Sequence, residues 1–594
     1  MNTISKSLGR IIGKTENNNS PQLEFKIGNK IVNDSLEIAN SFNTFFTSIG
    51  RSLAKNIQST RDPISYIDTN INEIIIPEIT DIYVKQIITS LKDSAPGYDE
   101  LPGSIMKRCS EHFITPLVYL INTSLRQGIF PKELKVAKII PIYKSDNEQL
   151  IENYRPISVL PYFSKIYEKI VSLHVTDFLE NDNILYDKQF GFRRYHSTSH
   201  AIITLVDKVS KALDSGKFVV GVFLDLKKAF DTVDHGILLN KLYALGIRGD
   251  LHKWFKSYLS GRSQYVYYND NKSDVLPITH GVPQGSILGP LLFIIYVNDF
   301  SKCSDLLFSI LFADDTSVFL EGQTYTGVIE LMNNELVKVD EWLKSNKLTI
   351  NTKKTEYMIF HRSRIKQQQK SDVIIKSEII HCSTSTKFLG VIIDNKLKWT
   401  EHIMYIKNKI SKSIGILYKI RNFINKQTLI NLYHTFVFPY IIYCIEIWGN
   451  ACHTYLDCLI KQQKKIIRII TFSYYTASTG PLFDSLNILR LEKLVIHRIS
   501  LMMYKFSCNM LPSPVMNLFI RNNELHNHFT RQSSFLHTPI GDAESIYRTF
   551  RFHAIRIWNH IEVNIPVDVS YVCFKKISKT YIQKNNDMLC RLNI

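Results

Sequence analysis

Leu306-Leu307-Phe308-Ser309-Ile310-Leu311-Phe312-Ala313-Asp314-Asp315-Thr316-Ser317-Val318-Phe319-Leu320 is the stretch that decides how this chain folds. An apolar run, two adjacent acids and a second apolar run spell strand, tight turn, strand, which predicts a β-hairpin with two anions at its tip. One Asp in a turn is structurally cheap, because Asp tolerates turn geometry. Two side by side between buried strands are not, because like charges a few ångströms apart repel in a low dielectric. A divalent cation would remove that conflict. Oxygen-only ligands suit Mg²⁺, which keeps several waters and takes substrate phosphates as its remaining ligands.

A second run upstream, Phe218-Val219-Val220-Gly221-Val222-Phe223-Leu224, is apolar throughout and ends in Asp225. Strands buried on both faces read this way. Alone, Asp225 is as readily a helix or loop cap as a functional anion. Beside the Asp314–Asp315 tip it becomes the third carboxylate of a set drawn from separate strands. Such a set can hold two metal ions about 4 Å apart, an arrangement that activates a primer 3′-hydroxyl and stabilises leaving pyrophosphate.

The rest of the chain agrees with a large globular protein. Its 594 residues are enough for about three to five compact units, and 45% apolar with 21% charged residues excludes a wholly disordered chain. Nine scattered cysteines with no C-x-x-C exclude a disulfide scaffold, and Cys444, Cys452, His453 and Cys458 read as thiols and a histidine rather than a zinc site. No apolar run approaches the roughly 18–20 residues of a membrane span. The longest candidate, Thr435 to Ile445, reads as one buried helix, and the polar start lacks a secretory core. The expectation is a soluble intracellular protein without a membrane partner.

Residues 1–80 are polar and Asn-rich (Asn17 to Asn19), with one helical stretch near Leu36 to Phe46, and read as a linker. From Ser94 to about 360, short apolar strands alternate with amphipathic helices, which predicts an α+β domain. Lys366 to Lys370 is a polar loop. Beyond about 396 helices dominate. The net charge of +18 favours a polyanionic partner. Eight Lys or Arg fall between Lys396 and Lys426 against one Glu, flanking an apolar stripe at Ile406, Ile410, Ile414 and Leu417.

Several segments together resemble a known family, and they occur in its order. Phe223-Leu224-Asp225-Leu226-Lys227-Lys228-Ala229-Phe230-Asp231 resembles the first catalytic motif of reverse transcriptases, and Gly281-Val282-Pro283-Gln284-Gly285-Ser286 their template- and nucleotide-contacting motif. Leu311-Phe312-Ala313-Asp314-Asp315 resembles their acidic hairpin. Asn153-Tyr154-Arg155-Pro156-Ile157-Ser158 and Gln189-Phe190-Gly191-Phe192-Arg193 are similar to the fingers motifs of the non-LTR, LINE-type branch. Asn351 with Lys354-Thr355, and Phe388-Leu389-Gly390, look like its later palm motifs. Tyr440, Tyr443, Trp448-Gly449 and Gln463-Lys464-Lys465 resemble the C-terminal extension of jockey-type elements.

The resemblance implies a right hand of fingers and palm (81–395), a basic helical thumb (396–480) and a helical extension of unknown role (481–594). It implies RNA-templated DNA synthesis from dNTPs, with an RNA template and a DNA primer or target as partners. Asp225, Asp314 and Asp315, with the backbone of Leu226, would hold two Mg²⁺ ions, or Mn²⁺ in their place. Lys144 and Arg155 would grip the triphosphate, bidentately for Arg and as a point charge for Lys. Phe230 would exclude a ribose 2′-hydroxyl, Gln284 and Gly285 would approach the base pair, and Lys354 would protonate pyrophosphate. Phe388, Leu389 and Gly390, with Lys407, Lys412 and Lys419 of the thumb, would contact nucleic acid through its backbone. Relatives of this type carry an N-terminal endonuclease for which 80 residues are too few, so target nicking is expected from elsewhere. The site of action would be the nucleus. An RNA-dependent RNA polymerase or intron-maturase relative, and a catalytically silent nucleic-acid-binding remnant, stay open as alternatives.

Overall fold

A computed structural model describes residues 24–55, 57–59, 61–362, 372–525, 532–538 and 549–585; the Asn17–Asn19 and Lys366–Lys370 stretches lie outside them. The palm is a five-stranded sheet in the order His381–Cys382, Glu356–Phe360, Phe218–Leu224, Asp315–Gly322, Phe308–Phe312. Its central strand is the apolar run ending at Asp225, antiparallel to both neighbours, with Leu224 opposite Thr316 and Phe223 opposite Glu356. Alternation along that strand explains why every position is apolar. Val220, Val222 and Leu224 enter a core shared with the helices under the palm, including Leu288–Tyr296 and Tyr325–Ser345. Val219 and Phe223 face the other way, into a core shared with the thumb and the C-terminal helices. Gly221 is on this second side for a packing reason: a Cβ there would lie 2.6 Å from the Phe319 ring.

The fingers are a second sheet, ordered Tyr154–Val159, Val136–Tyr143, Arg262–Tyr268, Asn271–Lys272, with Leu276–Ile278 also paired to Arg262–Tyr268. Residues expected to be linker belong to it. Phe25–Ile27 and Lys30–Val32 pair as a hairpin, and the helix Ser35–Lys55 lays Ile38, Ala39, Phe42 and Phe46 against Ala137, Ile139, Tyr154 and Val266. Burying side chains of this size stabilises by roughly 1.5–3 kcal/mol each. Asn43 locks the register, its Oδ1 accepting from Gln264 Nε2 (3.0 Å) and its Nδ2 donating to the carbonyl of Asp274 (2.7 Å). A polar, Asn-rich composition hid an amphipathic helix whose apolar face is narrow.

The basic segment folds as the helix Thr400–Ile420, burying Ile403, Ile406, Ile410, Ile414, Leu417 and Ile420. Lys412 and Lys419 are exposed on the opposite face and Lys407 is half-buried. The stretch expected to be one buried helix from Thr435 to Ile445 is instead broken into Lys426–Phe436 and Phe438–Ile442, followed by Ile445–Trp448. Pro439 has no N–H to donate into the helix before it, and Cys444 adopts a left-handed φ of 53°. Helices Leu491–Ser507, Phe550–Asn564 and Tyr571–Lys584 complete the core on the thumb side, with Trp558 fully buried and Asn559 exchanging hydrogen bonds with the main chain of Leu536. Among the described residues no helix is long and apolar enough to cross a membrane.

Candidate active site

The three carboxylates meet at one end of the palm. Asp225 follows the central strand, Asp315 opens the adjacent strand, and both line a cleft of about 160 Å³ together with Lys354, Phe388 and Leu389. Asp314 reaches solvent beside them and is electrostatically coupled to Asp225. The concave walls withhold water, which raises the carboxyl of Asp314 and pushes that of Asp315 up to about 6; repulsion from Asp314 and Asp225 adds to the rise at Asp315. Among the described residues no Lys or Arg forms an ion pair with any of the three. An all-oxygen donor set that repels itself fits a hard divalent cation such as Mg²⁺.

Two separate straps hold the carboxylates, one for Asp225 and one for the Asp314–Asp315 turn. The Asp225 backbone N–H donates to Thr355 Oγ1 (3.2 Å), its carbonyl accepts from the Asn351 N–H (2.7 Å), and its Oδ2 accepts from Asn351 Nδ2 (2.9 Å). Leu226 pairs with Ile350 in an antiparallel bridge, so the 349–355 turn fixes the start of the first motif from both sides. The acidic hairpin turns at Ala313, whose φ of 58° is a strained conformation for a residue with a Cβ. Fully buried Gln189 supports that turn, its Oε1 accepting from the N–H groups of Ala313 (3.1 Å) and Gly191 (2.9 Å). Gly191 is there because a Cβ would lie 2.4 Å from the Ala313 nitrogen. The motifs around Gln189 and Asn351 were visible in the sequence; their roles as props were not, since both depend on pairings more than a hundred residues apart.

Fingers and palm are stitched beside the acids. Lys144 and Arg155 lie on one face of the fingers hairpin, where Ile142 pairs with Arg155 and the Lys144 N–H donates to Asn153 O. Both are exposed, and both act favourably on Asp314 and Asp315 through space. Lys228, at a left-handed φ of 48°, donates from Nζ to the carbonyls of Glu152 (3.0 Å) and Tyr154 (3.2 Å), joining the first motif to the same hairpin. Nothing in its spacing marked it. On the other flank Ser158 N–H donates to Gln284 O (2.7 Å), and Gly285, at φ 111°, is so close that a Cβ would sit 2.7 Å from Ser158 O. Fully buried Glu168 fixes the following helix, accepting from Ile287 N–H (2.7 Å) and Tyr258 Oη (3.0 Å).

Phe230 is half-buried, stacking on Phe293 with ring centroids 4.4 Å apart and meeting the exposed Phe192 ring edge-on at 6.4 Å. The adjoining Asp231 is half-buried with its carboxyl turned away from water, Oδ1 accepting from Gln284 Nε2 (2.7 Å), and the loss of water pushes the carboxyl up to about 6. Lys354 shares the Asp225–Asp315 cleft, and its nearest acid is exposed Asp146 at 3.7 Å. Phe388, Leu389 and Gly390 form the tip of the hairpin Ser385–Phe388/Val391–Asp394, where Leu389 O accepts from Tyr443 Oη (2.7 Å). Lys407, Lys412 and Lys419 lie apart from this cleft, along the thumb helix.

Residues 142–393 match the family described as reverse transcriptase (RNA-dependent DNA polymerase). The chain is 28% identical over 428 residues to the probable RNA-directed DNA polymerase from transposon X-element of Drosophila melanogaster, covering 70% of this chain and 46% of that protein. It is 28% identical over 401 residues to the RNA-directed DNA polymerase from mobile element jockey of the same organism, covering 65% and 43%. The chain thus spans under half the length of these relatives. A solved telomerase of Candida albicans, in complex with a fragment of telomeric RNA, is similar at 13% identity and a TM-score of 0.34, over 66% of this chain and 69% of that one. Residues 142–393, which carry all three carboxylates and the turns that prop them, are thus similar to reverse transcriptases, those of the X-element and jockey mobile elements among them.

Proposed function

We propose that this chain is an RNA-directed DNA polymerase of a non-LTR retrotransposon, extending a primer 3′-hydroxyl with dNTPs on an RNA template. The observation that carries the reading is the nearness of Asp225, Asp314 and Asp315, none of them ion-paired with a Lys or Arg among the described residues, within reach of the charges of Lys144 and Arg155 on the fingers. Asp225, Asp314, Asp315 and the Leu226 backbone would hold Mg²⁺ or Mn²⁺, which supplies Lewis-acid stabilisation of the attacking and leaving oxygens. Lys144 and Arg155 orient the triphosphate from the fingers side. Gln284, held by Asp231, and Gly285 present backbone to the base pair being formed. Phe230, braced by Phe293, stands where a ribose 2′-hydroxyl would collide. Lys354, close to Asp225 and Asp315, is placed to return a proton to the departing pyrophosphate. The exposed lysines Lys412 and Lys419, with Lys407, run along the duplex backbone, and Phe388-Leu389-Gly390 abuts the primer end.

The site of action is assigned to nuclear DNA. The test is primer extension by the purified chain with Mg²⁺, dNTPs and an annealed RNA template. Asp314→Ala/Asp315→Ala should abolish extension while template binding persists. Normal extension by that variant would remove the metal assignment and the reading with it.

A further inference from the structure

At the far end of the thumb, exposed aromatic side chains are gathered among cations. Tyr474 is 87% exposed, Tyr475 81%, Phe423 79% and Tyr418 57%. Large rings left this open carry a desolvation drive that the fold does not use. Their proximity follows from helix register. Gln462 Nε2, on the helix His453–Ile470, donates to Lys407 O (3.3 Å) and Ser411 Oγ (2.5 Å) on the helix Thr400–Ile420. The Lys407 ammonium acts through space on Cys458, one turn before Gln462. Earlier residues meet earlier ones and later meet later, so the two helices run parallel. About 10 Å further along both, at 1.5 Å per residue, Tyr418 and Arg468 stand at the same level. Both chains then leave their helices there, one through Phe423 and the other through Tyr474 and Tyr475.

The charge at this end has one sign. From His402 to Phe483 the chain has ten Lys or Arg and only two acids, Glu446 and Asp457. Glu446 is buried, and Asp457 is paired with Lys461 at 2.5 Å near the start of its helix, away from the tip. At the tip the Arg421 guanidinium lies 5.2 Å from the Tyr418 ring centroid. Arg468 lies 5.8 Å from that of Tyr475 and donates to Ala477 O (2.9 Å), which ties the second aromatic loop to the helix. Cations seated on rings with one ring face free are suited to a ligand that brings both phosphates and flat aromatic bases.

We propose that the thumb tip is a stacking platform for single-stranded nucleic acid, on which Tyr474, Tyr475 and Phe423 receive unpaired bases while Arg421 and Arg468 meet the intervening phosphates. Duplex is a poor occupant, because its bases are already stacked and cannot reach the rings; unpaired bases gain roughly 1–3 kcal/mol each from such a ring. The surface would hold an unpaired segment of nucleic acid, apart from the duplex along the helix face. It rests on the nucleic-acid reading of the thumb but not on catalysis.

The experiment is fluorescence anisotropy with the full chain and two labelled probes, a 15-nucleotide oligouridylate and a 15-base-pair RNA–DNA hybrid. Tyr474→Ala/Tyr475→Ala should weaken the single-strand probe ten- to hundredfold and the hybrid less than twofold, while Tyr474→Phe/Tyr475→Phe keeps both affinities. Primer extension on a template with an overhang of only a few nucleotides, too short to reach the thumb tip, should be unchanged in the alanine variant, which shows that it is folded. Equal weakening of both probes, or of neither, overturns the platform. So does a concentration-dependent dimer of the wild type that the alanine variant lacks, which would give the surface to a second copy. Were the wild type to bind the oligouridylate in this way yet extend no primer, the polymerase reading would fail and the platform would stand.

Discussion

The palm holds two groups of acids, one buried under the sheet and one open at its end, and only the first is supplied with its own cation. Under the sheet, Asp299 is paired with Lys241 at 2.6 Å, both are buried, and Lys241 Nζ donates also to Tyr296 O (2.7 Å). At the end of the same sheet, Asp225 and Asp315 share a cleft with Asp314 beside it, and no Lys or Arg is ion-paired with any of the three among the described residues. The first group is closed chemistry, complete within the chain. The second is open and takes its counter-charge from outside. This difference separates a structural acid from a working one more sharply than burial does, since Asp299 is the more buried of the two kinds.

Breaking the closed pair should have the largest effect. Lys241→Met leaves the Asp299 carboxylate in the core without a counter-ion, and losses of this kind amount to about 3–5 kcal/mol. Urea denaturation should show that loss with or without Mg²⁺. Removing charge from the open group should behave oppositely: Asp314→Ala/Asp315→Ala relieves repulsion and should leave the midpoint in chelator unchanged or raised. A destabilised double variant in chelator would mean that the acids are structural after all.

Asp231 lies between these extremes, its carboxyl turned away from water with an amide donor but no direct cation, and it sharpens the contrast through pH. Its carboxyl is raised from the usual Asp value near 3.8 to about 6. The folded state therefore keeps a proton that the unfolded state has lost between those values, so stability falls as pH rises through that window. The loss is complete above it and amounts to about 2–3 kcal/mol. Asp231→Asn keeps an oxygen for Gln284 Nε2 and cannot ionise. It should be more stable than wild type by about that amount at pH 7.5, and equal to it at pH 3.5 if both fold there. Parallel pH profiles for the two proteins would place the ionised Asp231 in a solvated site and refute its isolation.

The order of these acids in the chain was readable, but their supports were not. Strand, acidic turn and strand could be read at 306–320 because period, turn chemistry and charge all lie within fifteen residues. The helix at Ser35–Lys55 was read only in part and its attachment to the fingers missed, because Phe42 and Asn43 acquire meaning only when Tyr154 and Gln264 are placed against them. Gln189 and Asn351 belong to the same class: each props a carboxylate from more than a hundred residues away in sequence. A prop of this kind should show in turnover rather than in folding. Gln189→Leu removes the acceptor for Ala313 N–H and releases the strained turn, and misplacing an acid by a fraction of an ångström should lower kcat about 10–100-fold. The apparent Mg²⁺ requirement should rise with it, whereas a purely structural loss would lower the amount of active protein and leave the Mg²⁺ dependence unchanged.

The smallest effect is expected where the open site meets the closed core. Phe230 belongs to both, stacked on Phe293 and only half-buried, five residues past Asp225 in the first motif. Truncating it to Ala removes a ring from a stack as well as a barrier to the 2′-hydroxyl, so lost stability and lost discrimination must be separated. Phe230→Leu does this, because it retains apolar bulk over Phe293 while shortening the reach of the side chain. If the ring is the sugar gate, Phe230→Ala should raise ribonucleotide incorporation about tenfold relative to dNTP, equivalent to about 1.4 kcal/mol of discrimination, and Phe230→Leu by an intermediate factor at near-normal stability. Competition between dGTP and GTP opposite one template cytosine reads the ratio directly. A ratio that follows thermal stability across the two variants, rather than side-chain reach, would make Phe230 a core residue and leave sugar selection to the backbone around Asp231 and Gln284.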